Sequence, residues 1–236
     1  MRLKPFYTVG DHEAPLLAEP DPEDLDALMP GDGAWEVELG YGKGRYLLER
    51  ALANPDRRFL GVEMVSKYHR MLSTRALRRG ARNVLNIRGE ALYLLSAVLP
   101  RAFAARLHVY FPDPWPKARH HRRRLFDPQT VDLVLGVLKP GGELCFATDH
   151  LDYGELVMEI LDGYPGLTVE PLLGQWPGGA RTNYEAKYIV EGRPILRAVA
   201  YLSPDIVPGT PHPAGERRLL AGWAEEPEDE AAPSSA

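Results

Sequence analysis

A single acidic residue, Asp113, lies in a proline-rich turn that leads directly into a dense basic segment. The turn reads Phe-Pro-Asp-Pro-Trp-Pro over residues 111–116, after an apolar, strand-like stretch over residues 107–111. A carboxylate fixed between two prolines can stabilise positive charge on a reacting group, and ligands bind at the carboxyl ends of strands in open α/β sheets. The pattern predicts a reaction centre, although a turn residue that forms local hydrogen bonds is the simpler alternative for Asp113.

The basic segment after the turn predicts a binding surface for a polyanion. Its charged and titratable members are Lys117, Arg119, His120, His121, Arg122, Arg123 and Arg124. A solvated charged face is the alternative. If all five permanent cations meet phosphates, the logarithm of affinity should fall with the logarithm of salt at a slope of about −4. Six further cations of a predicted helix can extend this patch, namely Lys67, Arg70, Arg75, Arg78, Arg79 and Arg82.

A glycine-rich segment predicts a second ligand site. Residues 38–44 read Glu-Leu-Gly-Tyr-Gly-Lys-Gly and follow the first predicted strand. Gly40, Gly42 and Gly44 allow the backbone to turn tightly and to approach a ligand, and the N-terminus of the next helix adds about half a positive charge. The spacing fits neither the dinucleotide fingerprint nor the P-loop. It resembles the first motif of Rossmann-like S-adenosylmethionine (SAM) methyltransferases.

Two further acids follow the next two predicted strands. Glu63 ends the second strand, where a carboxylate can accept hydrogen bonds from both hydroxyls of a ribose. Glu90 follows the third strand, where it can face the adenine. Each acid alone is typical of a solvated loop, but with Glu38 and the three glycines they indicate a SAM site.

Composition favours a globular, cytoplasmic protein that binds no metal through cysteine. The chain has 236 residues with 44% apolar content, and its apolar runs are too short for a membrane span. The one cysteine, Cys145, excludes a disulfide within the chain. Net charge is −5, but residues 11–26 and 225–236 hold seven and five acids without Lys or Arg, which leaves +5 for residues 27–224. A basic centre is compatible with RNA binding.

The alternation of short apolar runs with helical periods predicts an α/β fold, a mostly parallel central sheet with helices on both faces. We expect strands near 35–39, 58–62, 83–87, 106–111 and 142–148, and helices near 44–53, 65–79, 90–98, 127–138 and 151–162. Apolar stretches at 187–190 and 195–201 are candidates for added edge strands. Proline and acids suggest an N-terminal arm at 1–33, with a short helix near 23–29, a methyltransferase domain at 34–202 and a tail at 203–236, disordered at its end.

The three motifs together closely resemble the bacterial tRNA (guanine-N7)-methyltransferase family. They are residues 38–44, the segment 111–124 and Thr-Asn-Tyr-Glu at 182–185. The resemblance implies a Rossmann-like fold, SAM as cofactor and methylation of N7 of the variable-loop guanine, guanine 46, in tRNA. The implied SAM contacts are Glu38, Glu63, Glu90 and Asp113, and the implied substrate contacts are Lys117, Asp149, Thr182 and Glu185. Glu90 departs from the Asp or Asn of the family by an added methylene.

Other interpretations stay open at this point. Asp149 can cap the helix that begins near Leu151, and Thr182 with Glu185 matches a capping box. Because Asp113-Pro114-Trp115 partly resembles the motif that orients exocyclic amines, methylation of a nucleobase amine is a second candidate activity. A SAM-binding RNA module without catalysis is a third. The sequence leaves monomer and homodimer undecided.

Overall fold

One mixed β-sheet organises the described part of the chain. The computed structural model describes residues 4–5, 25, 28–128 and 130–206. The strands are β1 (Lys4–Pro5), β2 (Trp35–Leu39), β3 (Arg58–Glu63), β4 (Val84–Arg88), β5 (Ala104–Tyr110), β6 (Leu138–Thr148), β7 (Leu167–Pro171) and β8 (Leu196–Leu202). The helices are α1 (Arg45–Ala53), α2 (Ser66–Arg78), α3 (Ala91–Ala97), α4 (Val131–Gly136), α5 (Leu151–Asp162) and α6 (Asn183–Val190), with a 3-10 helix at Ala118–Arg123.

The strand order creates a binding crevice at the middle of the sheet. The order is β1-β4-β3-β2-β5-β6-β8-β7, and the strands from β4 to β6 are parallel. From β2 the chain adds strands first on one side, through β3 and β4, and then on the other, through β5 and β6. In open α/β sheets, ligands bind outside the carboxyl ends of the strands at such a reversal. The crevice therefore lies where β2 and β5 end.

Buried side chains on both faces fix the central strands. All five residues of β2 are buried, as expected for a strand covered on both faces. Leu47, Leu48 and Ala51 of α1 are fully buried, and Leu72 and Ala76 of α2 join them in one apolar cluster. This packing holds the starts of α1 and α2 at the carboxyl edge of the sheet.

The second half of the sheet differs from the prediction in two places. The predicted strand at 187–190 is wrong, because these residues belong to α6, which Thr182 caps at its N-terminus. The strand predicted at 195–201 is confirmed as β8, which is antiparallel to both neighbours, but it is internal and not at an edge. The edge is taken by β7, a largely exposed strand of five residues in which half-buried apolar residues alternate with exposed polar ones, Leu-Thr-Val-Glu, and which was not predicted from the sequence.

The segment around α4 is shorter than predicted, since the helix expected over 127–138 covers only Val131–Gly136. Strand β6 begins at Leu138, several residues before the predicted start, and includes Pro140-Gly141-Gly142. A register shift against β5 accommodates these residues, and Gly141 has a left-handed φ of 75°. The other predicted helices and central strands are confirmed to within a few residues.

The N-terminal arm contributes to the core. Leu25 and Leu28 are helical, and Leu25 and Met29 pack in the main apolar cluster. Part of the short helix expected near 23–29 and the whole tail from residue 207 onward lie outside the described residues. Among the described residues, no helix is long and apolar enough to cross a membrane.

Candidate active site

The glycine segment forms an open loop between β2 and α1. Gly40, Gly42 and Gly44 have φ values of 72°, 54° and 66°, in the left-handed region that other residues adopt at a cost. A Cβ atom at Gly40 or Gly42 would meet nothing within 4 Å, whereas one at Gly44 would lie 2.7 Å from Leu72 Cδ1. The glycines are therefore required by backbone conformation, and the space around the first two is open to a ligand.

Glu63 fastens this loop to the next strand. Its Oε2 accepts a hydrogen bond from the Gly42 amide at 2.8 Å, and its Oε1 accepts one from the Val65 amide at 2.8 Å. Glu63 thus joins the end of β3, the glycine loop and the start of α2. The side chain is buried, and each oxygen retains capacity for a further hydrogen bond.

Glu38 is the buried carboxylate with an unused oxygen. The residue is 2% exposed, and its Oε2 has no hydrogen-bond partner among the described residues. Burial raises the pKa of Glu38 to about 7, although the charges of His108 and Arg181 oppose this rise, and Glu63 adds to it. A buried polar atom without a partner points to a ligand that supplies one.

Glu90 is committed in part to secondary structure. It is the N-cap of α3, and its Oε2 accepts a hydrogen bond from the Tyr93 amide at 2.7 Å. Burial raises the pKa of Glu90 above its ordinary value. Capping accounts for the acid at this position, so its contact with adenine stays a prediction.

Asp113 lies on an exposed turn with an unusual backbone. The flanking residues Phe111 and Trp115 have φ values of 54° and 43°, rare for side chains of this size. Such conformations persist where surrounding contacts enforce them. Here the Phe111 amide donates to Ala147 O at 2.7 Å, and Arg124 Nε donates to Pro114 O at 2.8 Å.

The turn lies close to the glycine side of the crevice. Burial and neighbouring tyrosines raise the pKa of the exposed Tyr184, and the charges of both Asp113 and Glu63 add to this. The carboxyl ends of β3 and β5 lie on either side of β2, and Arg181, just before α6, donates a hydrogen bond to Tyr110 Oη at the end of β5. The topology therefore places the three sequence motifs at the same edge of the sheet.

The basic segment is divided between internal and exposed roles. Arg124 stacks over the Tyr153 ring at 4.9 Å in addition to holding Pro114, so it supports the turn. Trp115 packs between His120, at 5.7 Å, and the Arg123 guanidinium, at 5.1 Å. Exposed members are Lys117, Arg119 and Arg123, while His120 and His121 are half-buried and Arg122 lies in the same 3-10 helix.

Asp149 does not cap α5. The N-cap is His150, whose Nδ1 accepts a hydrogen bond from the Tyr153 amide at 3.4 Å, so the capping interpretation of Asp149 is wrong. Asp149 instead faces Arg193, with 3.4 Å between Oδ2 and the guanidinium. That partner is half-exposed, which leaves the carboxylate accessible to a substrate.

Thr182 confirms its half of the predicted capping box, whereas the Glu185 carboxylate accepts a hydrogen bond from the Arg181 amide instead of the Thr182 amide. Thr182 Oγ1 accepts a hydrogen bond from the Glu185 amide at 3.0 Å. Glu185 is 1% exposed, and its two oxygens bind the Arg181 amide at 2.8 Å and Arg197 Nε at 2.6 Å. Its carboxylate therefore points into the protein, and Arg197 also donates to Gly174 O, which fixes the connection from β7 to α6.

Sequence reasoning missed a buried polar network centred on Arg181. The guanidinium stacks over Trp176 at 3.8 Å and Tyr46 at 5.0 Å, and it donates a hydrogen bond to Tyr110 Oη. His108 continues the network, with Nδ1 2.9 Å from Tyr110 Oη.

The network ends at Glu36, next to Glu38 on the same face of β2. Glu36 lies 3.1 Å from His108 Nε2 and forms ion pairs with Arg50 and Arg57. Burial alone would raise the pKa of Glu36, but hydrogen bonds from His108 and Arg50 lower it well below its ordinary value. Two glutamates in one buried strand were the signal available in the sequence.

Taken together, the crevice offers an open glycine loop, buried carboxylates for a polar ligand and an exposed carboxylate beside cations. This set can bind one small polar ligand and present it to an anionic polymer. Within the described residues, no cluster of His, Cys, Asp and Glu is arranged to hold a metal ion.

Comparison with known proteins identifies the family. The family model described as "Putative methyltransferase" matches residues 33–198. A tRNA (guanine-N(7)-)-methyltransferase from Nitrosococcus oceani is 36% identical over 174 residues, which are 74% of this chain and 74% of the relative. One from Roseobacter denitrificans is 37% identical over 73% of this chain and 75% of the relative.

A solved structure supports the fold independently. A 16S rRNA (adenine(1408)-N(1))-methyltransferase from Catenulisporales acidiphilia, a single-residue mutant solved with cosubstrate SAM, superposes with a TM-score of 0.58 at 18% identity. The match covers 85% of this chain and 97% of that one. The sheet order and the glycine loop at the central crevice agree with the sequence identity to these relatives. The chain therefore belongs to the bacterial tRNA (guanine-N7)-methyltransferase family.

Proposed function

We propose that the protein transfers the methyl group of SAM to N7 of the variable-loop guanine, guanine 46, of tRNA. The main support for this proposal is that the glycine loop, Glu38, Glu63 and the Asp113 turn lie at the carboxyl ends of the neighbouring strands β2, β3 and β5. The tRNA (guanine-N7) activity of the relatives supplies the substrate class.

The residues present fit SAM as cofactor. Glu38 Oε2 is buried without a described partner, and the space beside Gly40 and Gly42 is open. Glu38 and Glu63 would accept hydrogen bonds from the hydroxyl and amino groups of the cofactor, and Glu90 would approach its adenine. When bound, SAM supplies a methyl group activated by a sulfonium.

The reaction requires positioning more than proton transfer. Guanine N7 carries a free lone pair and no proton, so its attack forms the N7–C bond while the C–S bond breaks, without a general base. Alignment of the reacting atoms can supply on the order of 7 to 11 kcal/mol. The proposed role of the protein is to hold the purine edge in line with the methyl group.

Asp113 is proposed as the catalytic carboxylate. Methylation leaves positive charge on the purine, and a carboxylate fixed beforehand stabilises that charge. The positive φ values of Phe111 and Trp115 and the hydrogen bond from Arg124 to Pro114 hold the turn before any substrate arrives. Asp113 itself is exposed and so is accessible to a base.

The remaining predicted substrate residues divide by accessibility. Lys117 and Asp149 would contact the RNA directly, and Thr182 would contact the target nucleotide at the start of α6. Glu185 is proposed to act indirectly, since its carboxylate holds the Arg181 amide and Arg197 beneath this turn. Arg119 to Arg124 would meet phosphates, with Arg124 also supporting the Asp113 turn.

Labelled SAM and two unmodified tRNA transcripts, one with a variable-loop guanine and one with adenine there, test this function. We expect labelled 7-methylguanosine only from the first transcript. Nucleoside analysis separates the alternatives, because 7-methylguanosine is cationic with a labile glycosidic bond, whereas a nucleoside methylated on an exocyclic amine is not. Cofactor binding without label transfer to either transcript would exclude the proposal.

A further inference from the structure

Two regions of the molecule carry opposite and unmixed charge. Residues 64–89, called here the basic flank, contain seven Lys and Arg and no acid. Residues 149–170, the acidic flank, contain six acids and no Lys or Arg. The basic flank includes α2 and β4, and the acidic flank includes α5 and β7, which lie in opposite halves of the sheet.

The exposed cations of α2 form a stripe. Lys67, Arg70 and Arg78 are exposed, and at 100° per residue they fall within roughly 80° of the helix circumference. The acids of α5 form a matching stripe on the other flank, with Asp152, Glu155, Glu159 and Asp162 all exposed. Each stripe therefore presents a single sign of charge to solvent.

The first two cations of the stripe, Lys67 and Arg70, oppose the stability of their own helix, whereas Arg78 lies in the last turn, where the helix dipole favours a cation. The first turn of α2 holds no acid but does hold Lys67, against the preference of the helix dipole for negative charge there. Lys67 and Arg70, and likewise Arg75 and Arg78, are like-charged neighbours on the helix surface. None of the seven cations of the basic flank forms a salt bridge with a described carboxylate. A feature that breaks a local rule without an internal gain is typical of a functional surface.

The local field inside the flank is also positive. Burial, together with the charges of Arg88 and Arg70, lowers the pKa of His69 to about 4. The stripe starts at the active site, because α2 follows directly from β3 and the amide of its N-cap, Val65, binds Glu63. A helix of 13 residues is about 20 Å long, enough to lie along several phosphates of one RNA strand.

We propose that the basic flank binds the phosphate backbone of the tRNA, and that the acidic flank lies outside the contact, so that the position of the basic flank sets the orientation in which the RNA reaches Asp113. This inference rests on the proposed function for the identity of the RNA. The surface assigned to it adds to the basic segment at residues 117–124, which lies at the end of β5.

The main test neutralises the stripe and compares it with a mirror variant. The first variant combines Lys67→Gln, Arg70→Gln and Arg78→Gln, and the mirror combines Glu155→Gln, Glu159→Gln and Asp162→Asn. Binding of fluorescently labelled tRNA is measured by anisotropy across a salt series. For the first variant we expect roughly 100-fold weaker binding in 0.1 M salt and a salt slope smaller by about 2 to 3, from the loss of three phosphate contacts.

The mirror variant distinguishes the effect of a docking surface on affinity from the effect of net charge. Its net charge changes by the same amount in the opposite sense, but the flanks are at least three strand spacings apart, roughly 14 Å, beyond a Debye length of about 10 Å. We expect its affinity to change by less than about threefold. Equal and opposite effects of the two variants would overturn the inference, as would wild-type affinity and slope in the first variant.

A labelling experiment on the unaltered protein gives an independent readout. An amine-reactive reagent should modify Lys67 and the exposed Lys139 of β6 in the free protein. Bound tRNA should protect Lys67 and leave Lys139 reactive, and equal reactivity of Lys67 with and without tRNA would overturn the inference.

Turnover distinguishes failure of this inference from failure of the proposed function. If the wild-type chain methylates tRNA, the stripe variant should keep kcat at saturating tRNA and show a higher KM. Wild-type protein that binds tRNA through Lys67 but transfers no methyl would refute the proposed function and leave the docking surface intact. Thermal unfolding should show the stripe variant about as stable as wild type, because the relief of repulsion between Lys67 and Arg70 offsets the loss of the Arg78 charge from the last turn of α2.

Discussion

The proposed cofactor side and the proposed substrate side of the crevice use their carboxylates in different ways. On the cofactor side, Glu38 and Glu63 are buried, and the protein controls their hydrogen bonds and, for Glu38, the pKa. On the substrate side, Asp113 is exposed, and the backbone on either side of it is constrained instead. The cofactor side is preorganised for a small ligand, whereas the substrate side holds an exposed carboxylate in place for a large partner that completes its environment on binding.

The substrate side depends on a buried ion pair. Arg197→Met should lower the free energy of unfolding by about 3 to 5 kcal/mol, because the buried carboxylate of Glu185 loses its cation. Denaturant unfolding followed by fluorescence measures this. The double variant Arg197→Met with Glu185→Met should recover much of the loss, and a double variant no more stable than the single one would contradict this explanation.

Asp113→Ala should show most clearly that the substrate side can be altered without altering the cofactor side. We expect kcat to fall by roughly 10²- to 10³-fold, as for other fixed groups that stabilise transition-state charge. Because Asp113 is exposed, the melting temperature should be unchanged. Asp205→Ala, which removes an exposed acid from the end of the described chain, is the matched control and should keep full activity. Wild-type turnover in the Asp113 variant would remove that residue from the mechanism.

Glu38 gives the cofactor side a predicted pH dependence. Since burial raises the pKa of Glu38 to about 7, the free protein takes up a proton there as pH falls below 7, and the accepting carboxylate is lost. Cofactor affinity should then fall by up to about tenfold per pH unit between pH 7 and 5. Calorimetry with S-adenosylhomocysteine measures this affinity without turnover.

Glu38→Gln is the control for that profile. Glutamine does not titrate, so its affinity should be low but nearly constant over the same pH range. The neighbouring charges that act on Glu38 are those of His108, Arg181 and Glu63. A pH dependence that survives in Glu38→Gln would assign the titration to one of these.

The smallest expected effect compares two glycines of the same loop. Gly42→Ala should cost about 1 to 2 kcal/mol of stability from its left-handed backbone alone. Gly44→Ala should cost more, because its Cβ would also lie 2.7 Å from Leu72 Cδ1, and that side chain must shift. Thermal unfolding of the cofactor-free variants measures the difference, and equal losses would show that Leu72 moves without cost.

Local sequence patterns were sufficient for the central sheet and the glycine loop. Their signals lie within a few residues, since Gly40, Gly42 and Gly44 follow a buried strand and Glu63 ends the next one. Arg181 could not be predicted in the same way. Its role arises where side chains from α1, β5 and the β7–α6 connection meet, up to 135 residues apart between Tyr46 and Arg181.

The cap of α5 also resisted prediction, for a different reason. His150, rather than the acid before it, caps α5, because the first helical residue is Leu151 and the N-cap is the residue directly before it. The residues at 187–190 have the composition of a strand, but the cap at Thr182 and the ion pair of Glu185 place them in a helix. In the second place a tertiary contact, the ion pair between Glu185 and Arg197, overrides local preference.

The single cysteine provides a way to measure how tightly one segment of the chain covers this sheet. Cys145 lies in an apolar cluster with Tyr110 and Trp176, so the segment that carries Trp176 covers the thiol. Burial would raise the pKa of Cys145, but His108 and Arg181 lower it to about 7, which leaves much of the sulfur as thiolate at neutral pH. The rate of alkylation of this one site therefore reports how often the covering segment opens, and no label needs to be engineered into the chain.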